Sequence, residues 1–284
     1  MSGPSYSDLI RVGADTLRQA GLADPVRDAR RLLEIAAGLS STSLISQETD
    51  TAPAINKARY DDLIARRANR VPFAHLKGEA EFYGLTLKSD NRALIPRGDS
   101  EIVVDLALSL IPEGIQWTIA DLGTGTGALL AALITNRPEA HGIGVEASED
   151  AYELANENII RMGLIGRTRL LNLTWRKWTE WNMCDLIISN PPYIERAVLS
   201  ELESEVRDHD PIMALDGGPD GLSAYREIIS LGTEHMKPDA HLVLEIGYDQ
   251  KQAVSDLLHA AGFADLTHRA DFGGNDRAIA ARKT

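Results

Sequence analysis

The run Ser189-Asn190-Pro191-Pro192-Tyr193 holds the residue types best suited to chemistry. Asn190 offers a side-chain carbonyl acceptor and an amide donor. The two prolines after it fix φ twice and remove two backbone donors, while their carbonyls remain as acceptors. Tyr193 adds a flat ring with a polar tip. Rigid acceptors beside an aromatic face suit a planar NH2 group, either a carboxamide or the exocyclic amine of a base. A Pro-Pro pair also serves simply to end a strand, so the tetrapeptide needs context before it carries a function.

That context lies upstream. Trp117–Leu122 is an apolar run that ends in Gly123-Thr124-Gly125-Thr126-Gly127, and a helix begins at once with Ala128, Leu129 and Leu130. Glycines permit positive φ and let a ligand approach the backbone. The helix start supplies free N–H groups. The spacing differs from the dinucleotide pattern, because the third glycine comes one residue early. It also lacks the Gly-Lys-Ser/Thr of a phosphate-binding loop. His141–Val145 reads as a second strand ending in Glu146, 19 residues after Gly127. An acid at that point suits two ribose hydroxyls, although a solvated loop carboxylate is the plainer reading of any single Glu. Thr168–Leu173 reads as a third strand, followed by Trp175. Cys184–Ser189 reads as a fourth, delivering Asn190.

Alternating strands and helices imply a mostly parallel sheet with right-handed crossovers. Ligands in such sheets bind at the carboxyl ends of strands. Gly123–Gly127, Glu146, Trp175 and Asn190 are therefore expected to converge on one crevice.

Around this centre, residues 1–72 read as a small helical bundle. Tyr6, Leu9, Ile10, Ala14 and Leu17 recur at helical spacing, closed by Gly21. Asp24-Pro25 has the pattern of an N-cap followed by proline at the first helical position, ahead of Leu32, Leu33, Ile35 and Ala36. A third helix is expected from Pro53 to Asn69, with Ile55, Tyr60, Leu63 and Ile64 inward. Arg66, Arg67 and Arg70 stand at its end, where cations suit the helix dipole. Residues 73–97 are expected to form a hairpin linker, and residues 98–284 the catalytic domain. Asp99 or Ser100 is expected to cap a helix carrying Ile102, Val103, Leu106 and Leu110. A charged loop over residues 195–220, a helix near Leu222–Met236, a strand near His241–Ile246, a helix near Gln250–Gly262 and two closing strands complete the chain.

Composition narrows the class. The chain has 284 residues, 44% hydrophobic and 25% charged, as in ordinary globular proteins. No apolar run approaches the roughly 18 residues of a membrane span. Met1–Leu9 lacks the basic-then-apolar pattern of a secretory signal, so a cytoplasmic location and no membrane partner are expected. The single cysteine, Cys184, excludes an internal disulfide and reads as a small buried hydrophobe. His75, His209, His235, His241, His259 and His268 show no metal-ligand spacing, so no metal is expected. Net charge is −13, split as +1 over residues 1–72 and −14 over residues 73–284. A nucleic-acid binder usually carries a basic stripe. The opposite sign on the catalytic part argues against nucleic acid as the direct partner.

The glycine turn, the acid after the second strand and Asn-Pro-Pro-Tyr after the fourth together resemble a class I S-adenosylmethionine-dependent methyltransferase. More narrowly, the sequence is similar to the peptide chain release factor glutamine methyltransferases, the HemK/PrmC family. The matching residues include Phe82-Tyr83-Gly84-Leu85, Leu94-Ile95-Pro96-Arg97, Asp121 through Gly127, Ser189 through Ile194, Pro211, Gly217-Gly218, Leu244-Glu245-Ile246-Gly247 and Asp276-Arg277. The resemblance implies an α/β Rossmann-like seven-stranded sheet with its last strand antiparallel, preceded by a helical domain that docks substrate. It implies S-adenosyl-L-methionine bound by Gly123, Thr124, Gly125, Thr126, Gly127, Glu146, Trp175 and Asn190. It also implies class I release factors as the protein substrate, methylated on the glutamine of their Gly-Gly-Gln loop. Four positions depart from the family's usual pattern: Gly98 for Pro, Glu146 for Asp, Thr174 for Asp, and Asp210 for Glu.

On this basis Asn190, Pro191 and Tyr193 are the expected catalytic residues, and Asn190, Pro191, Pro192 and Tyr193 the expected substrate contacts. The Asn190 oxygen and the Pro191 carbonyl would accept the two amide hydrogens, with Tyr193 packed on the flat amide. Two alternatives stand beside this: a nucleic-acid exocyclic-amine methyltransferase of the adenine type, and a non-catalytic partner-binding paralogue.

Overall fold

The structure, a computed structural model, describes residues 3–284. It divides into two compact units, one ending at Glu79 and one running from Ala80 to Thr284.

The first unit is helical. α1 (Tyr6–Gln19) opens on a reciprocal cap, in which Ser5 Oγ accepts from Asp8 N at 3.1 Å and Ser5 N donates to the Asp8 carboxylate at 3.2 Å. Its Tyr6, Leu9, Ile10, Ala14 and Leu17 are buried, as a stripe at that spacing requires. α2 (Pro25–Ala37) starts on Pro25 and stops at Gly38, whose φ of 65° is left-handed. Asp24 holds the N-cap position, but its side chain makes no capping bond. α3 (Ser41–Ser46), absent from the sequence expectation, is capped by Ser40. α4 (Ala54–Ala68) buries Tyr60, Leu63 and Ile64.

Two expectations for this unit are corrected and one is extended. Ile55 is 60% exposed. It precedes Ile64 by about two and a half turns and so faces the opposite way. Arg67 and Arg70 do more than complement a helix end. Arg67 is buried and donates to Asp28 Oδ2 at 2.8 Å and to the Val71 carbonyl at 3.0 Å. Arg70, at φ 64°, donates to the carbonyls of Ala20 and Gly21 at 2.8 and 2.9 Å. The two arginines thus tie the end of α4 to α2 and to the end of α1. Finally, the start of the expected hairpin linker is helix: α5 (Phe73–Lys77) runs between Pro72 and a left-handed Gly78. Leu76 is buried in the helical core, and the Arg31 guanidinium lies 4.0 Å above the Phe73 ring.

The hairpin itself is β1 (Glu79–Phe82) and β2 (Leu85–Lys88). Tyr83 and Gly84 join them with φ of 50° and 73°, the conformation a tight two-residue hairpin turn demands. α6 (Glu101–Leu110) follows a short 3-10 turn, Gly98–Ser100; Ser100 occupies its N-cap without a capping bond.

Then strands and helices alternate: β3 (Thr118–Leu122), α7 (Ala128–Asn136), β4 (His141–Glu146), α8 (Glu149–Arg161), β5 (Thr168–Asn172) and β6 (Leu186–Ser189). The stretch expected as a charged loop carries short helical turns, among them α9 (Ser204–Arg207). α10 (Ser223–His235), β7 (His241–Glu245), α11 (Lys251–Ala260), β8 (Phe263–Ala270) and β9 (Asp276–Lys283) close the chain.

Seven strands form one sheet in the order β5-β4-β3-β6-β7-β9-β8. β5, β4, β3, β6 and β7 are parallel neighbours, and β9 runs antiparallel to both β7 and β8. Alternation along the strands feeds two cores. Ile119, Leu186 and Ile188 join α6 and α7 on one face; Ala120, Leu122 and Ile187 join α10 and α11 on the other. Trp178, Trp181 and Cys184 are buried in the second core. The chain moves outward through β4 and β5 on one side of β3 and through β6 and β7 on the other. That reversal opens a crevice at the carboxyl ends of β3 and β6. Among the described residues no helix is long and apolar enough to cross a membrane.

Candidate active site

Register sets the site. Asp121 of β3 stands opposite Ile188 of β6, so the glycine turn and Asn190 leave the sheet side by side. The Ser189 hydroxyl donates to the Leu122 carbonyl at 2.6 Å and fastens the two strand ends together.

The turn is left-handed at Gly123, Gly125 and Gly127, with φ of 69°, 57° and 81°, which only glycine adopts without strain. Gly123 N and Thr124 N donate to the Val145 carbonyl at 2.8 and 3.3 Å, hooking the turn onto β4. The Trp175 ring lies over Gly123, 3.5 Å from where a Cβ would stand. Gly127 begins α7 and donates to the Thr124 carbonyl at 2.8 Å. It shapes the turn without lining the cleft.

Glu146 is buried at the end of β4. Its Oε2 accepts from Gly125 N at 2.9 Å and its Oε1 from Ser148 N at 2.9 Å. A carboxylate offers about four lone-pair positions, so each oxygen keeps one for a ligand hydroxyl. Below the turn, Asp121 is buried; Oδ2 accepts from the Thr124 hydroxyl at 2.6 Å and Oδ1 has no partner. Burial pushes this carboxyl up to about 7, and the nearby Glu146 adds repulsion. Its signal in the sequence is an acid inside an apolar strand.

These groups surround a cleft of about 730 Å³, within the range of small-molecule sites. Gly123 through Thr126, Glu146, Trp175, Asn190, Pro191 and Pro192 all line it, as does the Ala93–Arg97 segment. Arg97 donates to the buried Asp210 at 2.7 Å and so pins the next segment, Pro211–Ala214, at the rim. Thr174 is exposed, and its carbonyl accepts from Lys177 N and Trp178 N at 2.9 and 3.2 Å.

Tyr193 follows the cleft-lining Pro192 but is not itself among the residues that line the cleft. It packs into the core beside α10. Its hydroxyl donates to Glu245 Oε1 at 3.4 Å and its carbonyl accepts from Gln250 Nε2 at 3.0 Å. A Cβ on Gly217 or Gly221 would stand 2.7 or 2.5 Å from Tyr193 backbone atoms, so both glycines are required for that close approach. Asn190 is half-buried, with Nδ2 3.5 Å from the Ser100 hydroxyl. Ser100 and Glu245 carried no functional reading in the sequence. Among the described residues no cluster of His, Cys, Asp and Glu could hold a metal ion.

A strand-glycine-helix turn, an acid with spare acceptors one strand over and a rigid acceptor pair beside both suit group transfer from a nucleoside-bearing donor to an NH2. Comparison with known proteins agrees. Residues 8–78 match the PrmC N-terminal domain, and residues 100–204 match the methyltransferase small domain. The release factor glutamine methyltransferase of Caulobacter vibrioides is 40% identical over 265 residues, covering 93% of this chain and 92% of that protein. The protein of the same name from Bradyrhizobium diazoefficiens is 39% identical over 286 residues, covering 99% of this chain and 96% of its own. In fold, a methyltransferase from Pyrococcus furiosus superposes with a TM-score of 0.55 at 18% identity, over 77% of this chain and 98% of that one. The chain belongs to the release factor glutamine methyltransferase family.

Proposed function

We propose that the chain transfers a methyl group from S-adenosyl-L-methionine to the side-chain amide nitrogen of the glutamine in the Gly-Gly-Gln loop of class I peptide chain release factors. The observation that carries this function is the shared cleft: a left-handed glycine turn under an indole ring, Glu146 with spare lone pairs, and Asn190-Pro191 beside them. Size, apolar walls and this donor set fit a nucleoside with a charged tail.

When bound, S-adenosylmethionine supplies an electrophilic methyl on a sulfonium. Glu146 would hold the ribose hydroxyls, and Trp175 and the glycine turn would bracket the adenosine. An amide nitrogen is a poor nucleophile because its lone pair is delocalised. Asn190 Oδ1 and the Pro191 carbonyl accept the two amide hydrogens, aim the nitrogen and favour the positive charge that grows on it. Acceptors fixed in advance act without reorganising, and alignment supplies much of the rest. The proton leaves to water. The unit ending at Glu79 serves as the docking module for the protein substrate.

Tritiated cofactor offered with a release factor, with DNA or with RNA tests the assignment. Label in the release factor peptide that carries Gly-Gly-Gln is expected. Label in nucleic acid alone, or calorimetry showing no cofactor binding, overturns it. Asn190→Ala is expected to abolish transfer with an unchanged melting curve; near-normal turnover would remove Asn190 from the mechanism.

A further inference from the structure

α8 presents one face to the cleft and to two of the segments around it. Ser148, its N-cap, and Ala151 line the cleft. Ala151 and Leu154 pack with Ala93, which lies in the lining run Arg92–Arg97. About one turn beyond Leu154 stands Asn158, which is 0% exposed. Its Oδ1 accepts from Lys88 N at 2.7 Å, and its Nδ2 donates to the Lys88 carbonyl at 3.1 Å and to the Thr126 carbonyl at 2.9 Å. Lys88 ends β2, just ahead of the Arg92–Arg97 run, and Thr126 belongs to the glycine turn. Beside Asn158, both Glu157 oxygens accept from the Arg92 guanidinium, at 3.0 and 3.1 Å. Asp90 accepts from the same guanidinium at 2.9 and 2.8 Å.

Only one setting of this carboxamide fits its partners. Lys88 N is a donor and the two carbonyls are acceptors, so oxygen must meet the first and NH2 the other two. The reverse setting would press oxygen against two carbonyl oxygens. Asn158 thus pairs with the Lys88 backbone as a neighbouring strand would, and it has a second amide hydrogen left for the turn. Gly123 N and Thr124 N hold the turn to β4, and Gly125 N holds it to Glu146. Asn158 joins it to the chain that enters the Arg92–Arg97 run. A Cβ on Gly127 would stand 3.7 Å from Ala155, so α8 lies directly on the turn.

We propose that Asn158 is a positioning residue for the methyl donor, its carboxamide holding the glycine turn and the Arg92–Arg97 run at one fixed separation before the donor arrives. The proposal rests on the reading that the cleft takes S-adenosylmethionine. Lining segments ordered in advance spare the donor the cost of ordering them. Asn158→Asp has the same shape and keeps an acceptor for Lys88 N, but it loses both donors. Its carboxylate then faces the Thr126 and Lys88 carbonyls, oxygen against oxygen, and leaves them without a partner. The turn retreats from α8, and binding must restore it.

The test uses the full chain and calorimetry with S-adenosylmethionine, well below the melting temperature. Asn158→Asp is expected to bind the donor at least about tenfold more weakly. At saturating donor, kcat and KM for the release factor are expected within about twofold of wild type, because the loss is one of uniform binding. A merely structural asparagine would lower the melting temperature and leave donor affinity in place. Asn156→Asp, on the same helix with the same change of charge, is expected to bind normally. Without ligand, Asn158→Asp is expected to speed hydrogen exchange at the Gly125 and Gly127 amides. Should the variant not fold, the wild type answers: Lys88 is not among the cleft-lining residues, yet its amide is expected to exchange more slowly once the donor is bound. Wild-type donor affinity in Asn158→Asp, an equal loss in Asn156→Asp, or a Lys88 amide indifferent to the donor overturns the proposal. A wild type that binds no S-adenosylmethionine strikes the function instead, and unchanged exchange at the two glycine amides would then strike the tie as well.

Discussion

Asp121, next to last in β3, and Glu245, last in β7, are buried carboxyls, each raised to about 7 by burial. Their unfolded values lie near the ordinary carboxyl range of about 4. Between those limits the folded chain binds more protons than the unfolded one. Stability from each group is therefore full at low pH and is lost as pH rises toward 7. Asp121→Asn cannot lose it. Urea midpoints measured from acid to neutral pH are expected to favour Asp121→Asn increasingly up to about pH 7 and then run parallel to wild type. Glu146 acts differently, through acceptors. Glu146→Gln turns one NH2 on Gly125 N or Ser148 N and strands a donor, a loss of about 1–3 kcal/mol. Calorimetry is expected to show S-adenosylmethionine bound at least about tenfold more weakly. Asn190 and Glu146 were legible in the sequence because each ends an apolar run. The heading of Tyr193 was not, because Glu245, 52 residues later, decides where its hydroxyl goes.

Among the elements, long periodic segments were readable and short ones were not. α3 and α5 span six and five residues, less than two turns, so no stripe can repeat within them. The hairpin linker expected from residue 73 begins instead as a helical turn, bounded by Pro72 and the left-handed Gly78. The segment Leu215–Gly221 shows what an irregular element does when its glycines are fixed by contact. A Cβ at Gly217 would stand 2.8 Å from Gly221 Cα as well as crowding Tyr193. Because those are backbone atoms, no side chain can step aside. Gly217→Ala is expected to cost about 1–3 kcal/mol in urea unfolding. It is also expected to lower methyl transfer more than S-adenosylmethionine affinity, since the cofactor half of the cleft is untouched.

For the molecule as a whole, every residue lining the cleft lies between Phe82 and Glu227, inside the unit from Ala80 to Thr284. A fragment covering residues 79–284 is accordingly expected to bind S-adenosylmethionine within a few-fold of the full chain, by calorimetry, while methylating a release factor far more slowly. Equal rates on the protein substrate would show that the helical unit does not dock it. The alternation of strands and helices made the sheet legible from the sequence; the tie from Arg97 to Asp210 and the bond from Tyr193 to Glu245 were not, because they join residues scores of positions apart. The bond from Ser189 to the Leu122 carbonyl has one more consequence. It is a rivet through the seam between the donor's cradle and the acceptor's wall. It joins the strand that carries the glycine turn to the strand that carries Asn190, so the two lining segments leave the sheet from a common anchor.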